Sequence, residues 1–251
     1  MTDNITTNMA SCVNCNNQIS EDFCPKCGQS AKLKRIDKHY VSHELLHLFH
    51  FEKGFFYTAK ELLLRPGDSI KEFIDKNRNK HMKPVPFLIL TSVLFALVAN
   101  FTHSDKIFDD QVSTFGTSKV ADIFNWMKAH HGYGNIIEGI FIALSVKLFF
   151  RKYKYNLFEI VILMCFVIGQ GTLLLAITTL FFGVLKAQLY QTIITIISFG
   201  YSAWAIGQFF YGRKILGFIK ALSVYVFGMF VFTIVVVIVG KTADLIIKIL
   251  N

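Results

Sequence analysis

The strongest constraint on the fold of this 251-residue chain is a series of long apolar stretches that begins at Pro84. A helix needs about 20 apolar residues to cross the hydrocarbon core of a bilayer. Five stretches approach or exceed that length: Pro84–Phe101, Asn135–Phe150, Leu157–Phe182, Leu189–Tyr211 and Ala221–Gly240. The whole chain is 53% hydrophobic and only 17% charged, unlike an ordinary soluble domain. The sequence therefore predicts an all-α polytopic membrane protein with about five transmembrane helices.

Lysine and arginine are distributed unequally between the segments that join these predicted spans. Twenty of the 26 basic residues lie before the first span, in or just before the connection between the second and third, or between the fourth and fifth. Because cytoplasmic segments retain lysine and arginine, this asymmetry predicts a cytosolic N-terminus and a C-terminus outside. The net charge of +9 then indicates contact with anionic lipids of the inner leaflet rather than with nucleic acid.

Four of the five cysteines form two CxxC pairs near the N-terminus, separated by eight residues. In the cytosol, this spacing indicates a metal site rather than disulfides. Four thiolates are a common ligand set of structural Zn²⁺, and Asn16 and Gly28, which follow the two pairs, tolerate the turn that such a knuckle requires. We expect the module to fold only with its metal. An iron–sulfur cluster and redox-active thiols are the alternatives to structural Zn²⁺ on Cys12, Cys15, Cys24 and Cys27.

A second candidate metal site lies in the histidine-rich segment that follows. His43, Glu44 and His47 stand in the sequence HELLH, which matches the HExxH pattern of zinc peptidases. In that pattern the two histidines share a helix face and bind Zn²⁺, and the glutamate is the general base. A third ligand is needed: Glu61 and Glu72 are candidates downstream, and His50 is a nearer one. The same side chains could instead form a non-catalytic metal or pH-sensing site, or simply a structural face of an interfacial helix.

Amphipathic segments connect the cysteines to the first span. A helix is predicted over Phe55–Leu64, a break at Pro66 and Gly67, and a further helix capped by Asp68 or Ser69. Apolar faces opposite basic side chains are typical of helices in the cytoplasmic membrane interface. We therefore divide the chain into a zinc-ribbon-like module (1–31), basic histidine-rich interfacial helices (32–83) and a transmembrane domain (84–251).

The N-terminal third also resembles a known family. CPKCGQ is followed by HELLHLFHFEKGFFYTAKELLLRPGDSIKEFI and then by NRNKHMKP, a succession similar to the bacterial family catalogued as domain of unknown function 3667. The resemblance covers about Cys12 to Phe87. It implies that the cysteine pairs and the histidine-rich linker form one inherited unit and that the membrane is the bacterial inner membrane. It names no activity.

These features favour a membrane-anchored scaffold or regulatory protein, whose zinc module docks a cytosolic protein partner while the basic helices hold it at the anionic leaflet. The first alternative is a membrane zinc metallopeptidase that uses HELLH, with Glu44 as its catalytic residue, and the second is a small-molecule transporter. Nucleic-acid binding is disfavoured because the basic run Lys32, Lys34 and Arg35 is short and has little aromatic interleaving. We expect no catalytic centre outside the peptidase alternative.

Overall fold

The computed structural model describes residues 10–12, 14–19, 22–28, 30, 54–104 and 118–250, and these residues are predominantly helical. Near the N-terminus, β1 (Ala10–Ser11) and β2 (Gln18–Ile19) pair in antiparallel fashion. The helices are α1 (Phe55–Leu64), α2 (Pro66–Asp75), α3 (Pro84–Thr102), α4 (Lys119–Ala129), α5 (His131–Phe149), α6 (Leu157–Thr179), α7 (Ala187–Thr195), α8 (Ser202–Tyr211) and α9 (Ile215–Leu250). A 3₁₀ turn (Arg151–Tyr153) precedes α6, and a π-helical turn (Ile196–Tyr201) joins α7 to α8.

Local sequence signals determine where several of these helices begin. Pro66 and Pro84 are the first residues of α2 and α3, a position where the missing N–H of proline costs nothing. Helix α6 begins with a capping box: the side chain of Asn156 accepts a hydrogen bond from the Glu159 amide, and the Glu159 carboxylate accepts one from the Asn156 amide. Two amide groups that the helix itself cannot pair are thereby satisfied.

Five helical segments are long and apolar enough to cross a membrane. They are Pro84–Thr102, Gly132–Phe149, Leu157–Thr179, Gln188–Tyr211 and Ile215–Leu250. This finding confirms the predicted all-α polytopic architecture and the number of spans. The orientation of the termini and the identity of the membrane stay predictions.

The fifth span is much longer than the sequence predicts. It was expected over Ala221–Gly240, but α9 begins six residues earlier and ends ten residues later. Its 36 residues extend about 54 Å along the axis, against a hydrocarbon core of about 30 Å. The charged residues after Gly240 do not end the helix. Helix α4 contacts the part of α9 that follows Gly240, where the Lys119 amide donates to the Asp244 carboxylate over 3.0 Å. Helix α9 therefore tilts strongly or projects beyond the bilayer.

Glycines allow close approach where the spans cross. A Cβ atom placed on Gly207 of α8 would lie 2.9 Å from the backbone of Gly217 in α9, and one on Gly228 would lie 2.8 Å from Ile142 in α5. Gly169 of α6 meets Phe87 of α3 in the same way. Small residues at such crossings let helices pack by van der Waals contact within a membrane. These crossings join the fourth span to the fifth, the fifth to the second, and the third to the first.

The helical hairpin of α1 and α2 packs against the sides of the spans. Phe73 of α2 contacts the ring of Phe166, with ring centroids 5.1 Å apart. Phe166 lies nine residues after the start of α6, which corresponds to about 13 Å along that helix. The hairpin and the spans share one hydrophobic core. Helices on both sides of residue 84 contribute to this core. The predicted division of the chain into 1–31, 32–83 and 84–251 stays a prediction.

Two buried polar contacts fix the hairpin to α8 and to the π-helical turn. The Gly67 amide donates to the side-chain oxygen of Gln208 over 2.8 Å, and the Tyr201 hydroxyl donates to the carbonyl of Leu62 over 3.0 Å. Leu62 lies in the last turn of α1, where carbonyl groups lack partners within the helix. Gln208, a polar residue that is costly inside a span, is thus accounted for by the α2 contact.

Candidate metal centre

The four N-terminal cysteines converge on one point. Their sulfur atoms all lie within 4.8 Å of one another, and the Sγ atoms of Cys12 and Cys27, and those of Cys15 and Cys24, are 3.5 Å apart. Four sulfurs placed tetrahedrally at about 2.3 Å from Zn²⁺ would be about 3.8 Å from one another. The observed spacing fits such a cation at the centre of the cluster. The structure therefore brings together all four predicted ligands in an arrangement that could hold a metal ion.

Two equivalent backbone turns present these sulfurs. The Asn16 amide donates to the carbonyl of Cys12 over 2.9 Å, and the Gly28 amide donates to the carbonyl of Cys24 over 2.8 Å. Both donor residues have positive φ angles, 57° for Asn16 and 70° for Gly28. Asparagine and glycine adopt this left-handed conformation at the lowest cost. The turns predicted from the sequence are therefore confirmed at the predicted residues.

The chain segments on either side of each CxxC turn form short antiparallel backbone pairs. Strands β1 and β2 lie on either side of the first CxxC pair, and an isolated bridge between Phe23 and Ser30 closes the second. The buried apolar cluster of this module consists of Cys12, Cys24 and Ile19 among the described residues. A core this small cannot offset the conformational entropy of ordering the module. A metal ion held by the four cysteines would supply folding free energy.

The proton affinities of two thiols show how binding depends on pH. The Asn17 amide lowers the pKa of Cys15, but burial and the other three cysteines outweigh it and raise that pKa to about 12. Burial raises the pKa of Cys24, but the amides of Cys27 and Lys26 outweigh it, so that this pKa is lowered. Since metals bind thiolates, an ion held here would have to displace the proton of Cys15 in particular, and its affinity would fall with falling pH.

The cysteine module is attached to the loop between α2 and α3. The side-chain amide of Asn77 donates to the side-chain oxygen of Asn14 over 3.0 Å. Asn77 is fully buried, and its own side-chain oxygen accepts a hydrogen bond from the Asn79 amide over 3.0 Å. Asn14 lies between the first two cysteines, so the first CxxC turn itself makes the contact. The second CxxC pair is not part of this hydrogen bond.

The residues of the second predicted metal site, His43, Glu44, His47 and His50, lie outside the described residues, so that site stays a prediction. Glu61 and Glu72, the two downstream candidates for a third ligand, both form ion pairs. The Glu61 carboxylate lies 2.5 Å from Nε of Arg65, and Glu72 contacts both Arg65 and Lys80. Within the described part of the chain, the four cysteines are the one cluster of three or more metal-ligating side chains.

His81 is a buried histidine whose burial the sequence does not indicate. His81 is 3% exposed, lies among the rings of Tyr57, Phe73 and Phe166, and has no hydrogen-bond partner for either ring nitrogen among the described residues. Burial lowers its pKa, against smaller opposing effects of nearby acidic groups. Its place in the basic stretch NRNKHMKP is typical of a solvated residue. Only the packing of this loop against α1, where the Met82 amide donates to the Thr58 hydroxyl over 2.7 Å, reveals its burial.

These features define a five-span helical membrane protein with an N-terminal cysteine cluster that could hold a metal ion. The family model described as "Protein of unknown function (DUF3667)" matches residues 52–96. This range covers α1, α2, the loop that contains His81, and the first 13 residues of α3. The match confirms the predicted family resemblance over these residues, while the cysteines lie before the matched range. No curated protein and no solved structure matches the chain.

Proposed function

We propose that this protein is a membrane-anchored scaffold or regulatory protein, and that its cysteine module binds structural Zn²⁺ and docks a protein partner. The observation that carries the proposal is the contact between the cysteine module, which could hold a metal ion, and the helical core that includes the predicted spans. The Asn14 contact with Asn77 joins the first CxxC turn to the loop that leads into α3. A module that is fixed to the membrane domain on one side can present its other side to a partner.

The second CxxC turn offers a surface suited to such a partner. Phe23, directly before Cys24, is 63% exposed, and the adjoining side chains of Pro25 and Lys26 are exposed as well. Exposed aromatic residues on rigid turns are favoured anchors in protein interfaces. Because the turn is rigid only when the metal is bound, partner binding requires the metal. The metal thus acts through structure and not through catalysis.

The proposed location is the bacterial inner membrane, with the N-terminus in the cytosol and the C-terminus outside. The asymmetry of lysine and arginine supports this orientation. The Asn14–Asn77 contact then keeps the cysteine module close to the anionic inner leaflet. In a reducing cytosol, four thiols bind a metal rather than oxidise to disulfides.

Capture of a partner from native membranes tests this function. The full chain would be purified after in-cell crosslinking as wild type, as Phe23→Ala, and as Phe56→Ala, which removes an exposed aromatic ring of α1 outside the module. We expect one protein to be captured by wild type and Phe56→Ala but lost from Phe23→Ala, while elemental analysis shows unchanged zinc in all three.

Cys12→Ser/Cys15→Ser separates metal binding from the exposed ring, and we expect it to lose both the zinc and the captured protein. Equal capture of the same protein by the cysteine variant and wild type would contradict the scaffold function. Capture that is unaffected by Phe23→Ala would place the partner elsewhere on the chain and contradict the proposed docking surface.

A further inference from the structure

A cavity of about 510 Å³ opens beside the turn that joins α8 to α9. The end of α1 forms one wall, and the two spans form the others. Its lining includes Leu64, Trp204, Arg213, Lys214, Ile215 and Phe218. The family resemblance and the cysteine cluster do not account for this cavity. It combines two cations with four apolar or aromatic side chains, which is an amphipathic composition.

The two cations differ from Lys152 and Lys220 at this end of the bundle. Lys152 lies over the rings of Tyr153 and Tyr211, and Lys220 lies over the ring of Phe150. Arg213 and Lys214 are exposed and form no ion pair or side-chain hydrogen bond with any residue that the structure describes. Two adjacent cations at the mouth of a cavity favour an anionic occupant.

The apolar walls continue onto the outer surface of α9. Ile215, Leu216 and Ile219 are 70%, 71% and 54% exposed, although they begin a membrane span. Exposed apolar side chains on a span face lipid chains. Trp204 is half-buried in the cavity, and within the described residues its indole N–H has no acceptor. Tryptophan is enriched at membrane–water interfaces because its ring is apolar and its N–H is polar.

The backbone adds to the positive potential of the cavity. Gly212 makes the turn between the spans with a φ of 67°, and α9 begins three residues later, so that its amino end lies at the cavity. The amino end of a helix carries partial positive charge. This contribution has the same sign as the charges of Arg213 and Lys214.

We infer that this cavity binds one anionic phospholipid from the leaflet on the side of the N-terminal region. Arg213 and Lys214 bind the phosphate of the headgroup, and the acyl chains lie along Ile215 and Ile219. Inorganic phosphate carries the same charge but leaves the apolar walls in contact with water. The lipid is therefore the favoured occupant, and its binding connects the end of α1 to the turn between α8 and α9.

Native mass spectrometry of the full chain in detergent tests the inference. The probes are dimyristoyl phosphatidylglycerol, dimyristoyl phosphatidylcholine and millimolar inorganic phosphate. We expect wild type to retain one phosphatidylglycerol per chain, with an affinity about tenfold or more above that for phosphatidylcholine. Arg213→Ala/Lys214→Ala should lose this preference. Arg151→Ala/Lys154→Ala removes the same charges from the same end of the bundle but not from the cavity, and it should retain the preference.

Leu64→Trp separates the two possible sources of phosphate. By filling the apolar part of the cavity, it should weaken phosphatidylglycerol binding without affecting an ion bound at the two cations. Equal retention of the two lipids by wild type would overturn the inference, as would equal losses in the two charge variants. Binding of inorganic phosphate that displaces phosphatidylglycerol and is unaffected by Leu64→Trp would assign the cavity to a soluble anion instead.

Discussion

Asn77 and Asn14, 63 residues apart in the chain, are joined by a 3.0 Å hydrogen bond between their side chains. Asn14 belongs to the first CxxC turn, and Asn77 belongs to the loop between the α1–α2 hairpin and the first span. The hairpin is in turn held to α8 through Gly67 and Gln208. A continuous set of contacts therefore runs from the cysteine cluster through the hairpin to the fourth span. Any partner bound at the module is connected by these contacts to the membrane domain.

The Asn77 contact predicts a selective loosening of the cysteine module. Asn77→Ala leaves the Asn14 side chain and the Asn79 amide without their present partner, at a cost of about 1–3 kcal/mol. We expect faster hydrogen exchange in residues 10–30 with unchanged zinc content. Asn77→Asp keeps an acceptor for Asn79 but loses the donor to Asn14, so it should behave similarly within the module. Asn17→Ala, which removes an exposed side-chain bond to Gln18, is the matched control. Unchanged exchange in Asn77→Ala would show that the contact does not hold the module.

The close approach at Gly67 predicts a strong effect of one added methyl group. A Cβ atom at this position would lie 2.3 Å from the Phe209 amide nitrogen and 2.5 Å from the carbonyl carbon of Gln208. Since both neighbours are backbone atoms of α8, Gly67→Ala must push α2 away and break the bond to Gln208. We expect destabilisation of about 1–3 kcal/mol or more, seen as a lower thermal midpoint in detergent. Gly183→Ala, where a Cβ would have nothing within 4 Å, should leave the midpoint unchanged. Equal midpoints for both variants would exclude tight packing of α2 against α8.

His81 predicts acid sensitivity of the folded state. Burial lowers its pKa below the value of about 6.5 expected for an unfolded chain, so the folded protein binds fewer protons there. Its contribution to stability is therefore complete above about pH 6.5 and declines as the pH falls below that value. The thermal midpoint of wild type should fall between pH 7.5 and 5.5, and the fall should be smaller in His81→Phe. His130→Ala, which removes an exposed imidazole that stacks on Trp126, is the matched histidine control. The prediction fails if His81→Phe and wild type lose the same stability over this range.

Zinc content distinguishes the scaffold from the peptidase. Elemental analysis should find one zinc per chain in wild type and in His43→Ala/His47→Ala, and none in Cys24→Ser, because three thiolates leave the tetrahedral site incomplete. Two zinc ions in wild type, falling to one in the histidine variant, would establish a second metal centre at HELLH. Proteolysis assays of Glu44→Gln would then decide whether that centre is catalytic.

The pH dependence of zinc retention follows from the thiol of Cys15. Because its pKa is raised to about 12, zinc must displace its proton, and acid favours the return of that proton. Zinc should therefore be released progressively as the pH falls below neutrality, as measured with a chromogenic chelator. Asn17→Ala retains the backbone amide that contacts Cys15 and should release zinc at the same pH as wild type. Retention that is independent of pH would argue against thiolate ligands.

The sequence by itself determined the features that depend on neighbouring residues. Apolar length is a property of each segment, so five spans could be predicted and were found. The cysteines of each CxxC pair are held together by one backbone turn, and Asn16 and Gly28 follow them in the φ region that such turns need. A break near Pro66 was predictable for the same reason, but its place and its cap were wrong. The first helix ends at Leu64, α2 already begins at Pro66, and Arg65 rather than Asp68 or Ser69 is the residue before it, because proline is favoured as the first residue of a helix. The length of α9 was not predictable, because the charged residues after Gly240 lower the local hydropathy without interrupting the helix.

Only the tertiary structure decided how distant segments meet. Gly67 and Gln208 are 141 residues apart, and Leu62 and Tyr201 are 139 apart, so no local pattern could indicate that the hairpin packs against the fourth span. The burial of His81 and the cavity between Leu64 and the turn at Arg213 follow from that packing. Local hydropathy reports how apolar a segment is but not which segment covers it. The choice among many apolar surfaces is made by close steric fit, as at Gly67, and by the need to pair buried polar groups.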